Sequence, residues 1–293
     1  SLNNTSVDAV LNVSNGSTFT FPTSILASAD SAISLVIGGT TALTANVQGA
    51  TFTNARNYSF VISPQSGATG IQNVTFNGNT VTVNVAQRAG AVLIDGQHDT
   101  STSFLVQNNT FTGVGGNGVI GIDANDNAFI SGTVSGNRLT NPIGHAIYAA
   151  ADSNATSRIV FDSNTIQNAG GDGFQLVNFG GTGTSTTDFV VTNNVVDGNS
   201  LNPSIAFVGG IGFFSFEDNA CVALKNNIIS HTPAGYYDIY VEEFGGTNTK
   251  VEEVPNTAAV MASPAYVQSI NTAPNTSVNG TVMLTNGTLC ARP

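Results

Sequence analysis

One feature limits what this chain can fold into more than any other: a short string around an asparagine that returns at nearly constant spacing. Each copy reads apolar, polar, small or polar, Asn, any residue, apolar, as in FDSNTI at residues 161–166. The repeated asparagines are Asn79, Asn109, Asn137, Asn164, Asn194 and Asn227, so successive copies lie 30, 28, 27, 30 and 33 residues apart. Self-similarity at a steady period indicates a repeat architecture.

A second signature shares this period. Gly90, Gly118, Ala146, Gly173 and Gly212 each precede a mostly apolar stretch. In three copies this residue follows the asparagine by nine positions, from 109 to 118, from 137 to 146 and from 164 to 173. The two signatures together predict that each repeat unit has a fixed internal layout.

The residue types within a unit predict its secondary structure. Val, Ile, Phe and Thr occur in short runs broken by Gly and Asn, which suits three short strands and three turns. A helical repeat would need longer segments of 3.6-residue periodicity, rich in Ala, Leu, Glu and Lys. We therefore expect an all-β fold, a single-stranded parallel β-helix (β-solenoid) of about 27–33 residues per coil, with coils stacked about 4.8 Å apart.

Stacked coils place equivalent side chains directly above one another. The six repeated asparagines are therefore predicted to form an amide ladder, in which each side chain bonds to its neighbour at a turn. The same asparagines are expected to adopt the left-handed backbone that such a turn demands.

The strings NNTF (108–111), SNTI (163–166) and NNII (226–229), each followed by a Gly-led apolar strand, carry a resemblance. The chain resembles right-handed parallel β-helix repeats of the pectate-lyase-like superfamily, of the secreted bacterial surface type, over roughly residues 69–241. That superfamily mixes polysaccharide lyases, hydrolases and epimerases with adhesins and phage tailspikes. The resemblance thus implies the fold and its handedness, while function must be argued from sites.

We expect one β-helix domain over residues 1–293. Residues 1–70 should form an N-terminal cap and irregular coils, residues 71–241 the regular coils, and residues 242–293 a tail packed back on the solenoid. The segment Thr281–Leu284 is a candidate strand of that tail. Two insertions, at 180–187 and 200–209, interrupt the regular coils and are loops of the kind that carry binding sites.

Cys221 and Cys290 are the only cysteines. A disulfide between them would pin the tail onto the coil and stabilise the fold by about 4 kcal/mol; two unpaired thiols are the alternative. A disulfide fits an oxidising compartment, and the start at Ser1 without Met fits a processed chain. We therefore expect a secreted protein, extracellular or at the cell surface. No apolar run approaches 18 residues, so no membrane span is expected.

His145 and Asp172 stand one position before the second signature on adjacent coils, close enough to hydrogen-bond. A His–Asp pair can exchange protons near neutral pH. Gly144-His145-Ala146 is faintly similar to the Gly-His-Gly of polygalacturonases, but the Asp-Asp pair and the Arg-Ile-Lys of that branch are missing. The favoured interpretation is a surface turn pair between coils, with Asp172 as a turn residue.

Asp95 and Asp123 lie five positions after the second signature and should stack as like charges about 5 Å apart, which is unfavourable without a proton or a cation. With Asp126 nearby, a Ca²⁺ site is one interpretation, since hard oxygen ligands cluster there. Catalytic carboxylates for glycoside hydrolysis are a second, and solvated turn carboxylates are a third. No other cofactor is expected.

Charge restricts the partners. Seven Lys and Arg residues face eighteen Asp and Glu residues, for a formal net charge of −11. Polyuronate lyases need a cationic site and a base, and an acidic surface repels acidic polysaccharide and nucleic acid. Neutral glycans remain possible partners, with Tyr148, Tyr236, Tyr237 and Tyr240 as stacking candidates.

Two functions from different classes remain. The preferred hypothesis is a non-catalytic extracellular scaffold, either an adhesin module or a subunit that self-associates head to tail into a cell-surface filament or sheath. The alternative is a glycan-active enzyme (hydrolase, lyase or epimerase), with Asp95, Asp123, His145 and Asp172 in a groove along one face. The first is preferred because the sequence holds no complete catalytic set.

Overall fold

The computed structural model describes residues 8–21, 31–83, 90–116, 118–180, 183–202, 209–216, 219–245, 248–252, 262–285 and 290–293. Within them, strands numbered in chain order pair in parallel with the equivalent strands of the neighbouring coils. The result is three long parallel sheets, which confirms the predicted β-solenoid.

The sheets are built as follows. Sheet I contains β1 (Ala9–Val13), β4 (Leu43–Gln48), β7 (Ile71–Asn77), β10 (Ser101–Gln107), β13 (Phe129–Ser135), β16 (Thr156–Asp162), β19 (Thr186–Thr192), β22 (Asn219–Lys225), β25 (Thr249–Val251) and β27 (Met283–Leu284). Sheet II contains β2 (Thr18–Thr20), β5 (Thr51–Thr53), β8 (Thr80–Thr82), β11 (Thr110–Thr112), β14 (Arg138–Thr140), β17 (Thr165–Gln167), β20 (Val195–Asp197) and β23 (Ile228–Ser230). Sheet III contains β3 (Ile33–Ile37), β6 (Phe60–Pro64), β9 (Val92–Gly96), β12 (Ile120–Ala124), β15 (Ile147–Ala151), β18 (Phe174–Asn178), β21 (Gly209–Ser215), β24 (Tyr237–Glu243) and β26 (Thr276–Asn279).

Strands β1 to β24, taken in threes, make eight coils that each pass through sheets I, II and III. Alternate side chains point inward because the side-chain period of a strand is two. In β13, for example, Ile130, Gly132 and Val134 are buried and their neighbours are not. The inward residues stack in files along the solenoid axis, and together they form one continuous core.

Phenylalanine supplies much of this core. Phe52 and Phe76 lie on adjacent coils with ring centroids 5.8 Å apart, and Phe161 and Phe189 repeat the contact at 6.0 Å. All four rings are fully buried. Burial of one such side chain stabilises a fold by roughly 1.5–3 kcal/mol, so the repeated aromatic files are a main source of stability.

The first coils follow the same three-strand plan but lack the asparagine. β1 pairs with β4 and β2 with β5, in register with the later coils. Ala50 stands where the later coils have asparagine, and its main-chain N–H donates to Oδ1 of Asn79 at 2.8 Å. The coils are irregular in this sense. Within the predicted N-terminal region of cap and irregular coils (1–70), residues 1–7 and 22–30 lie outside the described residues.

The tail, predicted to pack back on the solenoid, adds strands to its sheets. β25, β26 and β27 extend sheets I and III, although only Met283 and Leu284 of the expected 281–284 strand are in strand conformation. Between β25 and β26, helix α1 (Pro264–Ser269) begins at Ser263, whose side chain accepts a hydrogen bond from the Tyr266 N–H. Its Val267 is fully buried against the core, so α1 covers the C-terminal end of the coils.

The predicted disulfide is confirmed. Cys221 and Cys290 are bonded, with Cα atoms 5.6 Å apart and 69 residues of sequence separation. Cys290 packs against Val190 and Ala223 on the outer surface of sheet I. Its N–H donates to a carboxylate oxygen of Glu252 at 2.8 Å, so the chain end is tied to the coil covalently and by polar contacts.

The two inserted loops are described only in part, because residues 181–182 and 203–208 lie outside the described residues. Within the described ranges, no helix has the length and apolar character needed to cross a membrane.

Candidate functional site

The predicted asparagine ladder is present at the corner between sheets I and II. Each side-chain Nδ2 donates to Oδ1 of the asparagine on the next coil, for example from Asn109 to Asn137 and from Asn137 to Asn164, both at 2.9 Å. The same Oδ1 also accepts the main-chain N–H of the donor residue. All six side chains are buried, and buried amides are stable only when bonded in this way. The ladder is structural.

One detail of the ladder prediction was wrong. The residue in the left-handed conformation is the one before each ladder asparagine: Gly78, Asn108, Gly136, Ser163, Asn193 and Asn226, with φ between 53° and 64°. The turn therefore needs its special backbone at that position, while the ladder asparagine is required for its side-chain hydrogen bonds.

Sequence reasoning missed a seventh rung. Asn227 Nδ2 donates to Oδ1 of Asn271 at 2.9 Å, and Asn271 Nδ2 donates to the carbonyl of Leu224 at 3.2 Å. The spacing of 44 residues hides this member, because α1 is inserted before it. The apolar residue that lies three positions before each of the other ladder asparagines is also replaced here, by Gln268, so the string pattern gave no signal.

A groove of about 410 Å³ lies on the outer surface of sheet III. It is lined by Tyr58, Gly90, Leu93, Gly118, Gly121, Asp123, His145, Tyr148 and Gln175. Two of the predicted site residues, Asp123 and His145, thus meet in one cavity. Tyr148, a predicted stacking residue, lies beside them.

Glycines form part of the groove because the backbones of adjacent coils approach closely there. A Cβ atom at Gly90 would lie 1.9 Å from the carbonyl oxygen of Gly118, and one at Gly118 would lie 2.8 Å from the Cβ of Tyr148. A side chain at position 90 would collide with the backbone of Gly118, and one at position 118 would collide with the side chain of Tyr148. The glycines therefore let Tyr148 pack close to the groove surface and leave room for a ligand.

The register of the second signature differs from the prediction. Ile120 pairs with Ile147 and Ile147 with Phe174, so the residues two positions earlier, Gly118, His145 and Asp172, are equivalent. The predicted alignment of Gly118 with Ala146 is wrong by one residue. Seven residues (113–119) separate β11 from β12, whereas six (141–146) separate β14 from β15, and a one-residue change moves every later side chain.

Asp95 and Asp123 are neighbours, as predicted: they pair in register on β9 and β12. The following members of this file are Ala150, Val177 and Phe214. Asp95 is buried, and its Oδ2 accepts hydrogen bonds from Ser63 Oγ at 3.0 Å and Gln97 Nε2 at 2.7 Å.

The two carboxyl groups are electrostatically perturbed. Burial, together with the adjacent Asp95 charge, raises the pKa of Asp123 to about 6. Burial also raises the pKa of Asp95, while the hydrogen bonds from Ser63 and Gln97 oppose that change. A carboxyl group with a pKa of about 6 can both give and take a proton near neutral pH.

The tyrosines of the groove lie in the field of Asp123. Burial raises the phenol pKa of Tyr148, and the charges of Asp123 and Asp152 raise it further. Burial also raises the pKa of Tyr58, with Asp123 and Asp95 adding to the effect. Both phenols stay protonated at neutral pH and can donate hydrogen bonds to a ligand.

His145 is held by Asp172 from the next coil. The main-chain N–H of Asp172 donates to Nδ1 of His145 at 3.0 Å. An N–H group can only donate, so Nδ1 accepts and the ring proton of the neutral imidazole sits on Nε2. The Asp172 carboxylate oxygen Oδ2 lies 3.4 Å from the same Nδ1.

The interpretation of this pair as a surface turn was wrong for Asp172. Its side chain is fully buried, and its Oδ1 accepts the main-chain N–H of Gly209 at 2.8 Å. A buried carboxylate requires such bonds, so Asp172 joins the turns of two coils and fixes His145 at the edge of the groove.

Asp126 does not join Asp95 and Asp123. It lies in the turn after β12, where Oδ2 is 2.9 Å from Nδ1 of His98 on the preceding coil. Among the described residues, no three His, Cys, Asp or Glu side chains form a group that could hold a metal ion. The calcium interpretation stays a prediction without geometric support.

The other predicted stacking tyrosines lie outside the groove. The rings of Tyr237 and Tyr240 pack together in a tilted arrangement, with centroids 5.1 Å apart, and the Tyr240 hydroxyl donates to Glu242 at 2.8 Å. Further along the same surface, the rings of Phe179, Phe216 and Phe244 form a partly exposed stack. The outer surface of sheet III therefore changes from polar to aromatic toward the C-terminal coils.

Comparison with known proteins gives one match. A family model described as "Right handed beta helix region" matches residues 65–253, which is more than half of the chain. No curated protein and no solved structure matches.

Proposed function

This chain belongs to the right-handed β-helix family, and on that scaffold we propose a glycan-active site in the groove formed by Asp123, His145, Tyr58 and Tyr148. The observation that carries the proposal is that Asp123, with its pKa raised to about 6, shares one tyrosine-flanked groove with His145. This supports the enzyme hypothesis over the non-catalytic scaffold that the sequence alone favoured.

Asp123 is the proton-transfer residue of this site. Its carboxyl group lines the groove, and burial beside Asp95 brings its pKa to about 6. General acids and bases work best when their pKa lies near the operating pH. Asp95 lies next to it in the sheet and acts as a positioning residue that sets the electrostatics of Asp123.

His145 is the second polar group of the groove. With Nδ1 occupied by the Asp172 main-chain N–H, the neutral ring presents Nε2–H as a donor. A donor in a fixed orientation suits a sugar hydroxyl or the oxygen that gains charge during reaction. Asp172 touches His145 and lies behind it, so it is a positioning residue.

Tyr58 and Tyr148 give the groove its preference for carbohydrate. Each presents an apolar ring and a protonated hydroxyl, and such side chains pack against the C–H surfaces of sugars while bonding their hydroxyls. The scattered Lys and Arg residues that lie in the described ranges do not line the groove, which argues against polyuronate substrates.

The test begins with a screen of polysaccharides, in which released oligosaccharides are detected by mass spectrometry. Variants of the protein are then compared on any polysaccharide that is cleaved. Asp123→Asn should lower kcat by roughly 10²–10⁴-fold while binding persists, because the side chain keeps its shape and loses its proton exchange. Asp99→Asn is the matched control, since Asp99 is exposed and asparagine keeps the acceptor for Asn127 Nδ2. A broad screen that yields neither binding nor product contradicts the proposal.

Self-assembly is a second candidate, favoured by the first coil. Leu11, Val13 and Phe19 are only partly buried, whereas Ala45, Val47 and Phe52, their partners in the next coil, are fully buried. Within the described residues, this end of the core is therefore incompletely covered, and its edge strand β1 can pair with another chain.

Electron microscopy at increasing protein concentration tests the assembly. End-to-end oligomers should form, and Val10→Asp, on the edge strand where Val10 is 67% exposed, should reduce them. Dispersed monomers at high concentration would contradict this candidate and leave the groove proposal untouched.

A further inference from the structure

We infer that the glycan held in the groove is cationic: an amino-sugar polymer with a free ammonium group that is bound by Asp123, in the field of Asp95, and contacts the rings of Tyr58 and Tyr148. This inference rests on the proposed function, because it assigns a substrate class to the same site. It departs from the neutral glycans that the sequence suggested.

The first argument is the charge of the groove. Asp123 lines it and Asp95 lies on the adjacent strand in register, at a strand spacing of about 4.8 Å. Two like charges at that separation repel unless a cation or a proton intervenes. None of the described residues that line the groove is Lys or Arg, and His145 is the single basic side chain among them. A ligand ammonium group would supply the permanent positive charge that this set lacks.

The second argument is the state of Asp95. Its side chain is only 7% exposed. Ser63 and Gln97 both donate to Oδ2, and the neighbouring His98 and Asn125 also favour a lower pKa for this group. Oδ1 is buried and has no hydrogen-bond partner in the described part of the chain. An incompletely compensated carboxylate in a poorly solvated site projects a stronger field than one in water. That field acts on whatever lies beside Asp123.

The third argument is the aromatic lining. Tyr58 and Tyr148 both line the groove and both lie in the field of Asp123. A cation within about 6 Å of an aromatic ring centroid is attracted to the ring face. Carboxylates beside aromatic rings are the combination that recognises ammonium groups, and the protonated phenols add donors for the neighbouring sugar hydroxyls.

A metal ion would not satisfy this site equally well. Hard cations need several oxygen ligands, and among the described residues no group of three or more Asp, Glu, His or Cys side chains is arranged to hold a metal ion. An ammonium group needs fewer partners, because it carries three donors and the rest of the sugar fills the groove. The acidic surface, at a formal net charge of −11, would also steer a polycation toward the protein.

The experiment is isothermal titration calorimetry of the whole protein with three oligosaccharides of equal length: oligomers of glucosamine, of N-acetylglucosamine and of glucose. The free amine should bind about tenfold more tightly than the acetylated and neutral oligomers, which corresponds to about 1.4 kcal/mol. This advantage should shrink as salt is raised from about 0.01 to 0.15 M, because screening weakens charge pairing.

Two variants localise the effect. Asp123→Asn should bring the glucosamine oligomer to within about twofold of the glucose oligomer, since the preference is electrostatic. Asp99→Asn should retain the tenfold preference, because Asp99 lies outside the groove lining. An oligomer of N-trimethylated glucosamine keeps its charge without N–H donors and should keep most of the preference through Tyr58 and Tyr148.

The outcomes separate the two proposals. If neutral oligomers bind in the groove as tightly as the free amine, the cationic substrate is excluded and the glycan site stands. If no oligosaccharide binds, both proposals fail. If oligolysine binds as tightly as the glucosamine oligomer and both lose affinity equally in Asp99→Asn, the attraction is a general surface effect and the inference is wrong.

Discussion

The asparagine corner and the outer surface of sheet III are built from the same coils, yet the corner repeats one residue from coil to coil and the outer surface does not. At the corner, every coil from Asn79 to Asn227 carries the same residue, and each side chain bonds to the next. On the outer surface, one file reads Ser63, Asp95, Asp123, Ala150, Val177, Phe214 and Glu242 from coil to coil. A solenoid is stabilised where like residues stack, and it acquires a site where they do not.

The same contrast appears in how polar groups are compensated. The ladder asparagines are buried, and each gives and receives hydrogen bonds along the file. Asp95 and Asp123 are placed side by side as like charges, and burial together with the Asp95 charge raises the pKa of Asp123 to about 6. A polar group that is fully bonded contributes to folding, whereas one held in an unfavourable environment is a candidate for chemistry.

The largest expected effect is at the centre of the ladder. Asn164→Ala removes the acceptor of the Asn137 amide and main-chain N–H, and the donor to Asn194 and to the Val134 carbonyl. Each buried group left without a partner costs about 1–3 kcal/mol. We therefore expect a loss of roughly 4 kcal/mol in the free energy of unfolding, measured by urea denaturation.

Asn127→Ala is the matched control for this change. Asn127 is exposed; its side chain donates one hydrogen bond to Asp99 and accepts one from Asn154 Nδ2 at 3.3 Å. Water can replace both bonds, so a loss of less than about 1 kcal/mol is expected. Equal losses in the two variants would show that the ladder is no more important than a surface contact, and the comparison between corner and outer surface would not hold.

The sequence predicted the corner because periodicity is a direct record of stacking. The steady spacing of the six asparagines predicts which of them are adjacent in the fold, and this prediction does not depend on the conformation of the turns between them. The groove could be predicted only in part. Asp95 and Asp123 were paired correctly, and so were His145 and Asp172, but the turn before β15 is one residue shorter than the turn before β12. That difference hid the equivalence of Gly118 with His145.

The remaining groove residues had no signal of their own. Tyr58 and Gln175 come from coils on either side of Asp123, and Gly121 lies one strand away from Tyr148 in the same file. No single string unites them, because the solenoid brings them together through coil stacking. Alignment of the outward strand positions, two residues before the Asp123 file, would have placed Leu93, Gly121, Tyr148 and Gln175 in one column.

The second largest expected effect is an increase in folding stability, caused by Asp123→Asn. The folded pKa of Asp123, about 6, lies above its ordinary value of 3.8, so between these values the folded state binds more protons than the unfolded state. Stability therefore falls as pH rises from about 4 to 6 and stays lower above that range. Asp123→Asn removes this loss and should stabilise the protein at pH 7 by up to about 3 kcal/mol.

The measurement is the urea midpoint across pH 4 to 8 for the wild type, Asp123→Asn and Asp99→Asn. The gap between wild type and Asp123→Asn should be small at pH 4 and widen through pH 6, while Asp99→Asn should follow the wild type. A gap that does not depend on pH would mean that Asp123 is not perturbed in the folded protein, and the outer surface would then resemble the corner in being fully compensated.

The smallest effect should be at the end of the ladder. Asn271 accepts the side-chain and main-chain N–H groups of Asn227 at 2.9 and 3.0 Å, but it is only partly buried. In Asn271→Ala, solvent can reach the released donors and replace part of the lost bonding, so the expected loss is about 1–2 kcal/mol. The same urea experiment measures it beside Asn164→Ala. If the end variant were as damaging as the central one, burial would not set the strength of a rung; the ladder would act as one cooperative unit whose loss anywhere unravels the neighbouring coils.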